Sequence, residues 1–78
     1  MTEHTVKAFG DALEQLGSDL VRMGGFVESQ LTDAITAVVR RDTELAQDVI
    51  ARDSKVDQSH RTIERNATKI LALRQPMA

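Results

Sequence analysis

Apolar positions in the first half of the chain fall at Phe9, Leu13, Leu16, Leu20, Met23 and Val27, alternately four and three residues apart. That spacing places them on one face of a long helix near the coiled-coil period. Leu31, Ile35 and Val38 continue the stripe, but the steps from Val27 to Leu31 to Ile35 are four and four. They leave the seven-residue period and predict a straight or locally unwound stretch. One helix is expected from about Thr5 to about Arg40. Within it Gly10, Gly17, Gly24 and Gly25 each weaken helix formation by about 0.8–1 kcal/mol relative to Ala. Gly10, Gly17 and Gly24 stand seven apart and line up beside the apolar face. Two readings of them stand side by side: a neighbouring backbone approaches the stripe closely, or the helix kinks or breaks at Gly24 and Gly25.

Near residue 40 the signals for a helix end and a helix start coincide. Arg40 and Arg41 suit a C-terminal dipole, and Asp42 is a good N-cap with Glu44 in the turn that follows. A turn at about 41–42 this short makes the two helices antiparallel neighbours. The second helix, expected over about 43–74, carries Leu45, Val49, Val56, Ile63, Ile70 and Leu73 on one stripe, with Arg52, Ser59 and Asn66 at the intervening seam positions. Half of one seam is polar. Beside it runs a second stripe of Ile50, Asp53, Asp57, His60, Glu64, Ala67 and Leu71, apolar at its ends and ionisable in the middle. Pro76 is expected to end the helix at about Arg74 or Gln75.

The pattern therefore predicts an all-α, antiparallel two-helix hairpin of two rods about 50 Å long. Two rods leave part of each broad apolar arc uncovered, more than a soluble monomer normally shows. A third or fourth helix is needed, most simply from a homodimer forming a four-helix bundle. Composition sharpens this. At 78 residues the chain is small for an independent core, and with no cysteine it has neither disulfides nor a thiolate zinc site to help. With two Phe and no Trp or Tyr, packing is aliphatic and base stacking has no platform. A net charge of −2, with mixed signs, gives no positive field for nucleic acid or an anionic membrane. No apolar run reaches transmembrane length and no signal peptide opens the chain, so a cytoplasmic location without membrane insertion is expected.

Candidate chemistry is sparse. Asp53 and Asp57, four apart on a helix, project their carboxylates from one face about a turn from each other, which suits a shared cation. A pair alone leaves most coordination positions empty, and a solvated helix face is the plainer reading. His60 and Glu64 extend the same stripe, either as further ligands or as a partly exposed histidine beside an acid. Phosphoacceptance by His60 is disfavoured because Arg61, not an acid, follows it. There is no glycine-rich phosphate loop after a strand and no nucleophile beside a base, so no enzyme is expected.

Several segments together resemble the start of PhoU proteins: Glu3-His4-Thr5-Val6-Lys7-Ala8-Phe9, Met23-Gly24-Gly25 followed by Val27-Glu28-Ser29-Gln30-Leu31, Arg41-Asp42-Thr43-Glu44-Leu45-Ala46, and Leu73-Arg74-Gln75-Pro76-Met77-Ala78. The resemblance covers essentially the whole chain. It implies a cytoplasmic accessory regulator that restrains phosphate uptake and phosphate-starvation signalling by contact with a transporter ATPase and a sensor kinase. It also implies a fold of two similar three-helix bundles, each with paired Glu/Asp-x-x-x-Asp motifs for metal clusters. Asp53-Ser54-Lys55-Val56-Asp57 matches one such motif, so the resemblance implies a divalent or ferric ion (iron, zinc, magnesium or manganese) at Asp53 and Asp57 in a complete protein. His60 and Glu64 are outside that motif, and Gly10 and Gly17 depart from the helix-forming residues expected there. The chain stops where the family's third helix would begin, and reads as a truncated first repeat whose third-helix groove a second copy fills. The alternatives are a carboxylate metal-binding helical bundle and a purely structural dimeric helical fragment.

Overall fold

The computed structural model describes the backbone of residues 2–74 and the side chains of residues 4–73. Two helices, α1 (Thr2–Arg40) and α2 (Thr43–Arg74), form an antiparallel hairpin about 58 Å long. The expected stop at Pro76 lies outside the described residues. Helix α1 runs unbroken through Gly24 and Gly25, and no glycine has positive φ. The alternative of a break there is thereby set aside: one long amphipathic rod packed along α2 outweighs the local glycine cost, as tertiary contact commonly does.

The reversal uses two residues, Arg41 and Asp42. Arg41 adopts a left-handed conformation (φ 52°), its N–H donating to Val38 O at 3.3 Å, while Asp42 N–H donates to Ala37 O at 2.9 Å. This pair of bonds ends α1 in a Schellman motif. Asp42 then caps α2, its Oδ1 accepting from Leu45 N–H at 3.0 Å and its carbonyl from Ala46 N–H at 3.0 Å. One residue thus closes one helix and opens the next, which brings them together as neighbours.

The seam between the helices departs from the expected stripe of α1. The residues of α1 withdrawn from solvent include Phe9, Ala12, Leu16, Asp19, Met23, Phe26, Gln30, Asp33 and Ala37, a run three and four apart, with Ala34 and Thr36 beside it near the turn. Phe9, Leu16 and Met23 were expected there. Leu13, Leu20, Val27, Leu31, Ile35 and Val38 were expected as well and instead remain exposed. The apolar arc of α1 is wide enough to hold two seams, and α2 takes the one whose polar members match its own. Helix α2 contributes Leu45, Val49, Arg52, Val56, Ile63, Asn66 and Ile70, as its stripe predicts, whereas Ser59 and Leu73 are exposed. The hairpin exposes 6677 Å²; a compact monomer of 8.6 kDa is expected to show about 4,700 Å². Among the large side chains of the described residues only Ile70 and Gln30 are buried, so these residues form no extensive core of their own.

Candidate functional site

The seam fixes which faces of the hairpin are left open. The second stripe of α2 and the exposed aliphatic stripe of α1 each lie about 100° beyond the seam in the same rotational sense along their own helices. In an antiparallel pair the same sense leads to the same side. One broad face therefore carries Leu13, Leu20, Val27 and Leu31 from α1 beside Ile50, Asp53, Asp57, His60, Glu64 and Leu71 from α2. Gly10, Gly17 and Gly24 border it, and a Cβ built on any of them meets nothing within 4 Å. The close neighbour that the glycine spacing suggests is thus not α2.

Asp53 and Asp57 are both exposed and one turn apart, as their spacing requires. Hard carboxylate oxygens suit a hard cation, but two residues supply a minority of the six to eight oxygens that such an ion takes. Among the described residues no group of three or more His, Cys, Asp or Glu gathers to hold a metal ion. The donors on this hairpin do not make a complete site. His60 Nδ1 lies 3.8 Å from Glu64 Oε2, both largely in solvent. That is the partly exposed histidine beside an acid, and it falls on the same stripe without closing around the aspartates.

On the seam itself a shallow, open cleft lies between Met23 and Phe26 of α1 and Ser59 and Ile63 of α2, with Arg22 and Lys55 at its rim. Asp19 in this cleft accepts from Gln15 Nε2 at 2.9 Å and Arg22 Nη1 at 3.3 Å, so its charge is spent along α1. Two further polar residues, overlooked in the periodicity of large apolar side chains, define the register. Gln30 Nε2 donates to Val49 O at 3.1 Å, and Arg52 Nη2 donates to Asp33 Oδ2 at 2.9 Å. The signal for them was the three-and-four run from Phe9 to Ala37, visible only if polar and small residues are admitted to it.

Comparison with known proteins places this hairpin. Residues 20–78 match the family described as PhoU domain, which is most of the chain. The chain belongs to the PhoU family. It is 53% identical over all 78 residues to the phosphate-specific transport system accessory protein PhoU homolog of Caulobacter vibrioides, covering 34% of that relative. Identity to the phosphate-specific transport system accessory protein PhoU is 45% for Serratia marcescens and 38% for Escherichia coli, in each case over the whole chain and 32% of the relative. The chain spans about a third of the length of these curated relatives. No solved structure matches it significantly. No helix among the described residues is long and apolar enough to cross a membrane.

Proposed function

We infer that the chain is part of a phosphate-transport accessory protein that regulates phosphate uptake by contact with other proteins, not by turnover. The observation that carries this reading is identity over the whole chain to proteins named as PhoU accessory proteins, 53% for the Caulobacter relative. The physical chemistry is consistent with it. An all-helical surface with few aromatics, mixed charge and an open aliphatic face is suited to helix-on-helix docking. The partners are the transporter ATPase and the sensor kinase of the phosphate system, reached from the cytoplasmic side. Contact restrains uptake and the starvation response.

In a protein of the relatives' length, Asp53 and Asp57 would supply two carboxylate ligands to a divalent or ferric ion completed from another helix. The ion would act there as a structural clamp between helices, as in other bundle metal sites. The test of the main reading is co-purification of the chain with the ATPase and the sensor kinase of its own phosphate system. Retention of at least one at micromolar concentration is expected. Absence of both, with the chain shown helical by circular dichroism, would count decisively against regulation by contact through this part of the protein.

A further inference from the structure

Helix α1 offers α2 two seams of the same period. The one that α2 occupies carries the polar side chains Asp19, Gln30 and Asp33. The other, about 100° round the helix, runs Leu13, Gly17, Leu20, Gly24, Val27 and Leu31 at the same steps of four and three, and nothing polar interrupts it. Large apolar side chains do not separate the two: Phe9, Leu16, Met23 and Phe26 stand on the first, Leu13, Leu20, Val27 and Leu31 on the second. Withdrawing polar groups from water weighs against the first alone. Yet that is the seam α2 takes.

What distinguishes the occupied seam is a pair of contacts across it. Gln30 Nε2 donates to Val49 O at 3.1 Å, and Arg52 Nη2 donates to Asp33 Oδ2 at 2.9 Å. Turning α1 to its second run would carry both side chains away from α2 and set Leu31 and Ala34 opposite Arg52. A cation two-thirds withdrawn from solvent would then lose its carboxylate, and an unpaired charge inside a seam is costly. We propose that Arg52, Asp33 and Gln30 are positioning residues that fix the rotation of α1 against α2, by making the aliphatic seating leave a cation unpaired.

The layer is not one that stability alone would choose. Gln30 is buried, and its Oε1 finds no donor among the described residues. Polar groups held within a packed seam in this way select one arrangement over its competitors. The arrangement selected here turns the ridge of Leu13, Leu20, Val27 and Leu31 to the same side as Asp53 and Asp57. The inference goes beyond the regulatory reading, because it names what orients the faces and not what docks on them. It concerns contacts between α1 and α2 only, so it holds whatever packs outside them.

The 78-residue chain has no cysteine, so introduced thiol pairs report the rotation. Met23 and Ser59 border one cleft across the seam, and M23C/S59C joins in the occupied seating. Phe26 and Val56 are half-buried at about equal distances from the turn. Rotation puts Val27 where Phe26 stands, so V27C/V56C joins in the second seating. Oxidation is followed by mass in dilute solution, where bridges form within one chain, and helicity is checked by circular dichroism. With the three polar residues in place, V27C/V56C is expected to close several-fold more slowly than M23C/S59C. With Q30L/D33L/R52L the two pairs are expected to close at similar rates, and the unfolding midpoint should be no lower than that of the wild type. D33R should admit closure of V27C/V56C and D33R/R52D suppress it again, a rescue that bulk packing would not give. Equal closure of the two pairs in the wild-type background overturns the proposal. So does an undiminished preference in Q30L/D33L/R52L, or a swapped pair no more selective than D33R. No ATPase, kinase or metal enters these readouts, so their failure leaves the regulatory reading separately testable.

Discussion

Arg52 reaches across from α2 to α1, its Nη2 2.9 Å from Asp33 Oδ2. Both side chains are about two-thirds withdrawn from solvent, at 32% and 34% exposure, and they sit at seam positions that an apolar pattern would assign to Leu or Ile. The pair holds register more than it stabilises, because a half-solvated ion pair contributes at most about 1 kcal/mol. Arg52→Ala and Asp33→Ala are each expected to lower stability by about 1 kcal/mol. A double-mutant cycle followed by urea denaturation should give a coupling of about 0.5 kcal/mol. Zero coupling would remove the pair from the determinants of register.

Gln30 presents the opposite case. It is 8% exposed, its Nε2 bonds Val49 O, and its Oε1 finds no partner among the described residues. A buried amide oxygen without a donor costs about 1–3 kcal/mol. Val49 O is already within the α2 ladder, so removing Gln30 orphans nothing. Gln30→Leu is expected to stabilise the hairpin by about 1 kcal/mol. The check is the midpoint of thermal or urea unfolding, and a lower midpoint would mean that Oε1 is satisfied by water.

These two positions show what the sequence made legible and what it did not. The hairpin, its turn at Arg41 and Asp42, and the seam of α2 follow from spacing and capping, which are local. The seam of α1 does not, because its apolar arc is broad and large side chains dominate any reading by hydrophobicity. Choosing Phe26 over Val27, and Gln30 over Leu31, depends on which face of α2 arrives, the face from which Arg52 meets Asp33. Asp53 and Asp57, by contrast, were readable as a pair on one face, because a four-residue step along a helix is local.

Arg41 holds a left-handed conformation at φ 52°, which side chains with a Cβ adopt at a cost and glycine does not. Arg41→Gly is expected to stabilise the hairpin by up to about 1 kcal/mol, offset in part by the greater freedom of glycine in the unfolded chain. Asp42→Ala removes the cap to Leu45 N–H and should cost about 1 kcal/mol. Amide hydrogen exchange at Leu45 distinguishes this from a global effect: the first turn of α2 should lose protection before the rest.

Gly25 is helical, and a Cβ placed on it meets nothing within 4 Å. It also stands off the seven-residue spacing of Gly10, Gly17 and Gly24. Gly25→Ala is therefore expected to raise stability by about 0.8–1 kcal/mol, the full difference in helix propensity. The check is the midpoint of urea unfolding, and no gain there would show that Gly25 has a role beyond helix propensity.

Asp53 and Asp57 repel one another across a single turn of α2, a like-charge pair of a kind that destabilises a helix by about 0.2–0.5 kcal/mol. In the hairpin alone nothing among the described residues gathers with them into a group of three or more His, Cys, Asp or Glu. The double variant Asp53→Asn/Asp57→Asn should therefore be slightly more stable than the wild type. Titration of the wild-type chain with Mn²⁺ should show no saturation below about the millimolar range, where sites with few ligands lie. In a protein of the relatives' length the same double substitution is expected to lower bound metal, measured by elemental analysis after dialysis. Unchanged metal content there would assign the ion to other residues and leave these aspartates as a solvated face.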